Sequence, residues 1–232
     1  FADVRALAES ARRYGLARVV LERETDRLLA GACRFDAAGF ATFGMDALLT
    51  APEDLAVRAF GRVLAAVGGL GYPPRRSRIE RLIGEIRGAA AGHVPAMTLG
   101  RCQIVAARFA SGDDSGADGG AEGASLMISS LAISSLAIFR ERRNAPEPLR
   151  HVPDARLVWD RRFFVQFGAR PRTAGPGLRL RALAPADWHH IVEHTPEVRD
   201  RRCLPGAALW GLPALADDHG VFAIPHLQYL RD

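Results

Sequence analysis

Near Gly92 the spacing of apolar residues switches from the 3.6-residue period of helices to the two-residue period of strands. A chain that switches once is expected to fold as α+β, with a small amino-terminal helical domain over residues 1–92 and a β-rich mixed domain over 93–232. With 232 residues, 48% of them hydrophobic, the chain has enough apolar side chain for a core in each part.

The sequence runs from Phe1 straight into ADVRALAESARRYG, where Val4, Leu7, Ala8 and Ala11 share one side of a predicted helix. A start in mid-phrase, without methionine, predicts that this is the downstream part of a longer sequence. In CRFDAAGFATFGMDALL, Phe35, Phe40 and Phe43 among glycines predict a short extended excursion. Thr50 and Glu53 then fit a capping box with Pro52 in the first turn. The helix that follows points Leu55, Phe60, Val63, Leu64 and Val67 inward and stops at Gly68 and Gly69. After the double proline of GYPPRRSRIERLIGEIRG, a helix from Pro74 sets Ile79, Leu82, Ile83 and Ile86 in a buried stripe. Arg75, Arg76, Arg78 and Arg81 flank that stripe, with Arg87 at its end.

In the second part, TLGRCQIVAARF, LAIFRERR, ARLVWDRRFFVQF, GLRLRALAP and GVFAIPHLQYL each read as strand, and ADWHHIVEH reads as one short helix. Residues 111–124 form an acidic, glycine-rich loop. The five-residue phrase ISSLA occurs at 128–132 and again at 133–137. Because five is odd, a second copy in one strand would turn every later side chain to the other face, so only one copy is expected in the ladder.

Composition excludes several classes of function. No apolar run approaches the ~20 residues of a membrane span, and the chain reads as cytoplasmic. Cys33, Cys102 and Cys203 are odd in number and without a CxxC pair, so they predict reduced, structural thiols rather than a disulfide framework or zinc ribbon.

Two motifs resemble chemistry only in outline. SGDDS lacks the paired glycines that let backbone amides approach a phosphate, because Asp113 stands where the second glycine belongs. His190-Ile191-Val192-Glu193-His194 fits H-x-x-E-H, in which two histidines one turn apart hold a metal and the glutamate acts as base. Pro196 cuts that helix short and no third ligand is evident downstream, so no metal is expected.

The arginines carry more weight. All 31 basic residues are arginine against 26 acidic ones, and part of the acidic total sits in the 111–124 loop. Beyond the Arg75–Arg81 face, groups occur at Arg12, Arg13 and Arg18, at Arg140, Arg142 and Arg143, at Arg161 and Arg162, at Arg179 and Arg181, and at Arg199, Arg201 and Arg202. Many lie beside Trp, Phe or His, a combination suited to RNA, whose phosphates take bidentate arginine and whose unpaired bases stack on rings. The expected nucleic-acid contacts are Arg75, Arg76, Arg78, Arg81, Arg161, Arg162, Arg199, Arg201 and Arg202.

The phrase YPPRRSRIERL, the preceding helix APEDLAVRAFGRVLAAVGG and the ending LPALADDHGVFAIPHLQY, in that order, resemble the carboxyl-terminal region of bacterial tRNA(Ile)-lysidine synthases. The likeness extends over nearly all of the chain. It implies a part of an ATP-dependent ligase that adenylates the wobble cytidine of an isoleucine tRNA with a CAU anticodon and joins lysine to it. That family uses ATP and magnesium in an amino-terminal domain carrying SGGxDS, a motif this sequence lacks. The resemblance therefore implies a tRNA-binding and positioning role, no catalytic residue here and no cofactor site in this chain. Lysine and ATP would be partners of the full-length enzyme. Two other readings stand beside it: a free-standing RNA-binding or adaptor module, and a metal-dependent hydrolase using His190, Glu193 and His194.

Overall fold

The computed structural model describes residues 2–89, 95–107, 135–198 and 204–231. It is α+β, with antiparallel sheets throughout. Helix α1 (Ala2–Ala32) leads into a hairpin of β1 (Cys33–Phe35) and β2 (Ala41–Gly44), then α2 (Met45–Thr50), α3 (Glu53–Val67) and α4 (Arg76–Gly88). Strands β3 (Met97–Leu99), β4 (Cys102–Ala107) and β5 (Ser135–Arg140) follow. Next come β6 (Leu149–Arg150), β7 (Arg156–Trp159), β8 (Phe163–Gln166), β9 (Arg179–Ala182) and α5 (Pro185–His194). The chain ends with α6 (Gly206–Leu209), β10 (Pro213–Asp217), β11 (Gly220–Ile224) and β12 (Tyr229–Leu230).

The first sheet has the order β1-β2-β5-β4-β3. Its central strand β5 is buried on both faces, and strand alternation sends its residues to two different cores. Leu136 and Ile138 join Phe43, Phe60, Leu64, Ile79 and Ile83 beneath the helices. Ala137 and Phe139 join Trp188, Ile191, Leu209, Ala214 and Val221 on the opposite side. A second sheet, β12-β11-β10-β9-β6, and the separate β7–β8 hairpin complete the fold. The first sheet runs across the expected division at residue 92: β2, from the amino-terminal part, pairs with β5 from Ala41↔Ile138 to Gly44↔Ser135. Ser135–Ala137 of the second ISSLA copy enter this ladder, while the first copy and the 111–124 loop lie outside the described residues.

Several local expectations are corrected. Thr50 does not cap α3. It is the last residue of α2, where its hydroxyl donates to the Asp46 carbonyl at 2.8 Å, and Pro52 takes the N-cap position of α3 without a side-chain bond. The stop is a Schellman arrangement, with Gly69 N–H on the Ala66 carbonyl, Leu70 N–H on the Ala65 carbonyl, and Gly69 at φ +58°. The described part of TLGRCQIVAARF, up to Ala107, is two strands, because Gly100 and Arg101 at φ 61° and 62° turn the chain so that Leu99 faces Cys102. WDRRFF likewise bends between β7 and β8. The α4 stripe falls as expected: Ile79, Leu82, Ile83 and Ile86 are buried. On α1, Val4 and Leu7 are 68% and 69% exposed, and every residue from 3 to 20 is exposed. Its later turns are fastened to α3 by Arg62 to Asp26 at 2.6 Å and Arg58 to Glu22 at 3.6 Å.

Candidate nucleic-acid interface

The β7–β8 connection is a type I′ turn: Arg162 N–H donates to the Trp159 carbonyl at 3.1 Å, with Asp160 at φ 51° and Arg161 at φ 56°. Such a turn ordinarily takes Asn and Gly, and an arginine in this backbone region is strained. A buried ionic centre holds it. The Asp160 carboxylate accepts from Arg140 Nη2 at 2.7 Å and Nε at 3.1 Å, and from Arg162 Nε at 2.9 Å. All three side chains are only 4–5% exposed. Arg140 also donates to the carbonyls of Gly68 and Asn144, and Arg162 to those of Gly39 at 2.9 Å and Gly211 at 3.0 Å. Burial pulls the Arg162 guanidinium below its ordinary pKa, and Asp160 opposes that pull.

Arg162, expected on the RNA surface, is therefore an internal tie joining the β1–β2 turn, the β7–β8 turn and the segment after α6. Arg140 is likewise internal. The doublet Arg161-Arg162 divides, because the turn leaves Arg161 exposed.

Around this centre four segments converge. A β-carbon at Gly69 would lie 2.6 Å from the Asp160 carbonyl oxygen, and one at Gly71 would lie 3.3 Å from Arg161 Nη1. One at Gly100 would lie 2.7 Å from Pro74 Cγ, so the β3–β4 turn abuts the double proline that leads into α4. Glu141 N–H donates to the Arg101 carbonyl at 2.8 Å, which brings the 3₁₀ turn Arg142–Asn144 alongside. Arg75 at the α4 N-cap, Arg101, Arg142 and Arg161 are all exposed, and none makes an ion pair among the described residues. Tyr72, next to Gly71 and just before the double proline, is 86% exposed. Arg78, one turn along α4, is also exposed and without an ion pair among the described residues.

The other expected contacts differ. Arg76 is held between Asp54 at 2.5 Å and Glu80 at 2.6 Å, carboxylates that raise its pKa, and Arg81 faces Glu85 at 3.6 Å. Both remain exposed, but part of their charge is already matched. Arg199, Arg201 and Arg202 lie outside the described residues. Arg181 forms a bidentate pair with Asp187 at 2.6 and 2.8 Å, which also accepts the Ala184 N–H at the start of α5. Arg101, Arg142 and Tyr72 are not among the contacts expected from the sequence. The Gly-Arg pair in TLGRCQI, flanked by apolar residues, was the available sign of a turn that presents Arg101.

His190, Glu193 and His194 do come together on the exposed face of α5, with one ligand atom from each within 4.8 Å of the others. His194 Nδ1 lies 2.8 Å from the His190 carbonyl, which leaves Nε2 as its free nitrogen. The helix ends there, as Pro196 requires. Cys33 and Cys102 are buried free thiols; burial raises their pKa values to about 11 and about 12, so neither supplies a thiolate near neutral pH. No helix among the described residues is long and apolar enough to cross a membrane.

Compared with known proteins, the chain matches no family model, no curated protein and no solved structure.

Proposed function

We propose that this chain binds RNA, as the tRNA-binding and positioning portion of a lysidine-forming ligase acting on an isoleucine tRNA in the cytoplasm. The observation that carries the RNA-binding step is that Arg75, Arg101, Arg142 and Arg161 lie on four abutting segments, each exposed and without an ion pair among the described residues. A guanidinium already neutralised by a carboxylate gains little from phosphate, whereas these can release counterions from a nucleic acid on binding. Asp160 supports the surface from beneath by fixing the turn that presents Arg161. The narrower reading, a particular tRNA and a ligase, rests on the resemblance of the ordered phrases to those of the lysidine synthases.

By sequence SGDDS does not fit a phosphate-binding loop, because the Asp113 carboxylate would repel a phosphate; the loop itself lies outside the described residues. This chain's contribution is orientation. Holding a reacting base in place matters because small misplacements cost orders of magnitude in rate. Competition between an isoleucine tRNA with a CAU anticodon and a tRNA with an unrelated anticodon tests the specific reading. Preference for the first supports it, and equal binding reduces it to a general RNA-binding module.

A further inference from the structure

Tyr72 is the most exposed large hydrophobic side chain among the described residues, at 86%. It belongs to neither core nor helix. Solvent exposure of a single aromatic ring is ordinary; its surroundings are not. Pro73 follows it, which restricts the backbone of Tyr72 to extended conformations, and Pro74 packs against Gly100 of the neighbouring turn. The ring is thus carried on a stiff support rather than on a loose loop. The Arg161 guanidinium lies beside Gly71, and Arg75, the N-cap of α4, follows three residues beyond Tyr72.

We infer that Tyr72 is a stacking platform for one unpaired base of the bound RNA, with Arg75, Arg101 and Arg161 on the flanking phosphates. This rests on the RNA-binding reading above and adds to it a preference for loops or single strands over duplex. A ring carried between two segments that bear exposed arginines can offer its face to an unstacked base while the guanidiniums take the backbone, whereas in a duplex the base faces are already occupied. A stiff support lowers the conformational entropy lost on binding.

The test measures the affinity of two RNAs across a salt series: a hairpin with an unpaired seven-nucleotide loop and a blunt duplex of equal nucleotide count. The wild-type chain is compared with Tyr72→Ala, Tyr72→Trp and Arg161→Ala. The expected loss for Tyr72→Ala on the hairpin is about 5- to 150-fold, the range for removing one stacked base, with little change on the duplex and an unchanged salt slope. Tyr72→Trp should retain hairpin affinity, and Arg161→Ala should flatten the salt slope for both RNAs. Because the ring is so exposed, thermal unfolding of Tyr72→Ala should match the wild type. Unchanged hairpin affinity in Tyr72→Ala, beside an intact salt-dependent affinity of the wild type, overturns the stacking role and leaves RNA binding standing. An equal loss on hairpin and duplex overturns it too. If the wild type binds neither RNA with a salt-dependent affinity, the RNA-binding reading itself fails.

Discussion

Arg140 and Asp160, twenty residues apart in sequence, form a bidentate pair at 2.7 and 3.1 Å, with both side chains about 5% exposed. Asp160 also serves Arg162, so one carboxylate compensates two buried guanidiniums. Removing it leaves both cations without their counter-charge. Asp160→Ala is expected to destabilise the protein by about 3–5 kcal/mol, measured by chemical denaturation. A loss below about 1 kcal/mol would show that the carbonyl partners of Arg140 and Arg162 suffice.

The acid end of the stability profile should report Asp217. Burial alone would raise its pKa, but the Arg231 guanidinium and the backbone N–H groups of Gly175 and His219 outweigh burial and hold it at about 2. A folded-state value below the unfolded one gives stabilisation that is fully present above pH ~4 and lost as pH falls toward 2. It amounts to about 2 kcal/mol. Asp217→Asn should therefore be less stable than wild type at neutral pH, and the gap should narrow on acidification through that window. A gap that stays constant from pH 6 to pH 2 would rule out the linkage.

Leu82, on the buried stripe of α4, separates folding from binding. Leu82→Ala should cost about 2–5 kcal/mol of stability and leave the salt dependence of RNA binding unchanged while the protein remains folded. An equal effect from an arginine on the same helix would mean that the exposed face also contributes to folding.

For His190, Glu193 and His194, the expectation remains a chain without stoichiometric zinc. Elemental analysis of purified protein decides it. One zinc per chain, lost in His190→Ala, would reverse the expectation and favour a metal-dependent role.

The α4 stripe was legible because four apolar residues at helical spacing face one core while the arginines between them cannot be buried cheaply. The same reasoning could not distinguish Arg161 from Arg162. Neighbours in a doublet look alike until a left-handed turn sends one inward, and the carboxylate that makes its burial tolerable also satisfies Arg140, from another strand. Thr50 misled for a related reason. TAPE fits a cap by spacing, but the preceding six-residue helix uses the same hydroxyl first. The sheet crossing residue 92 was hidden because β1 and β2 are short and sit among helices, and their pairing with β5 spans about a hundred residues.

The most direct test of the account is the salt dependence of RNA binding by Arg75→Ala with Arg161→Ala, two exposed arginines from separate segments that come together at Gly71. Each phosphate contact contributes roughly 0.7 to 0.9 to the slope of log affinity against log salt, so the double variant should flatten the slope by between about one and two units with unfolding unchanged. A double variant with wild-type affinity and slope would contradict the account and show this surface to be merely solvated.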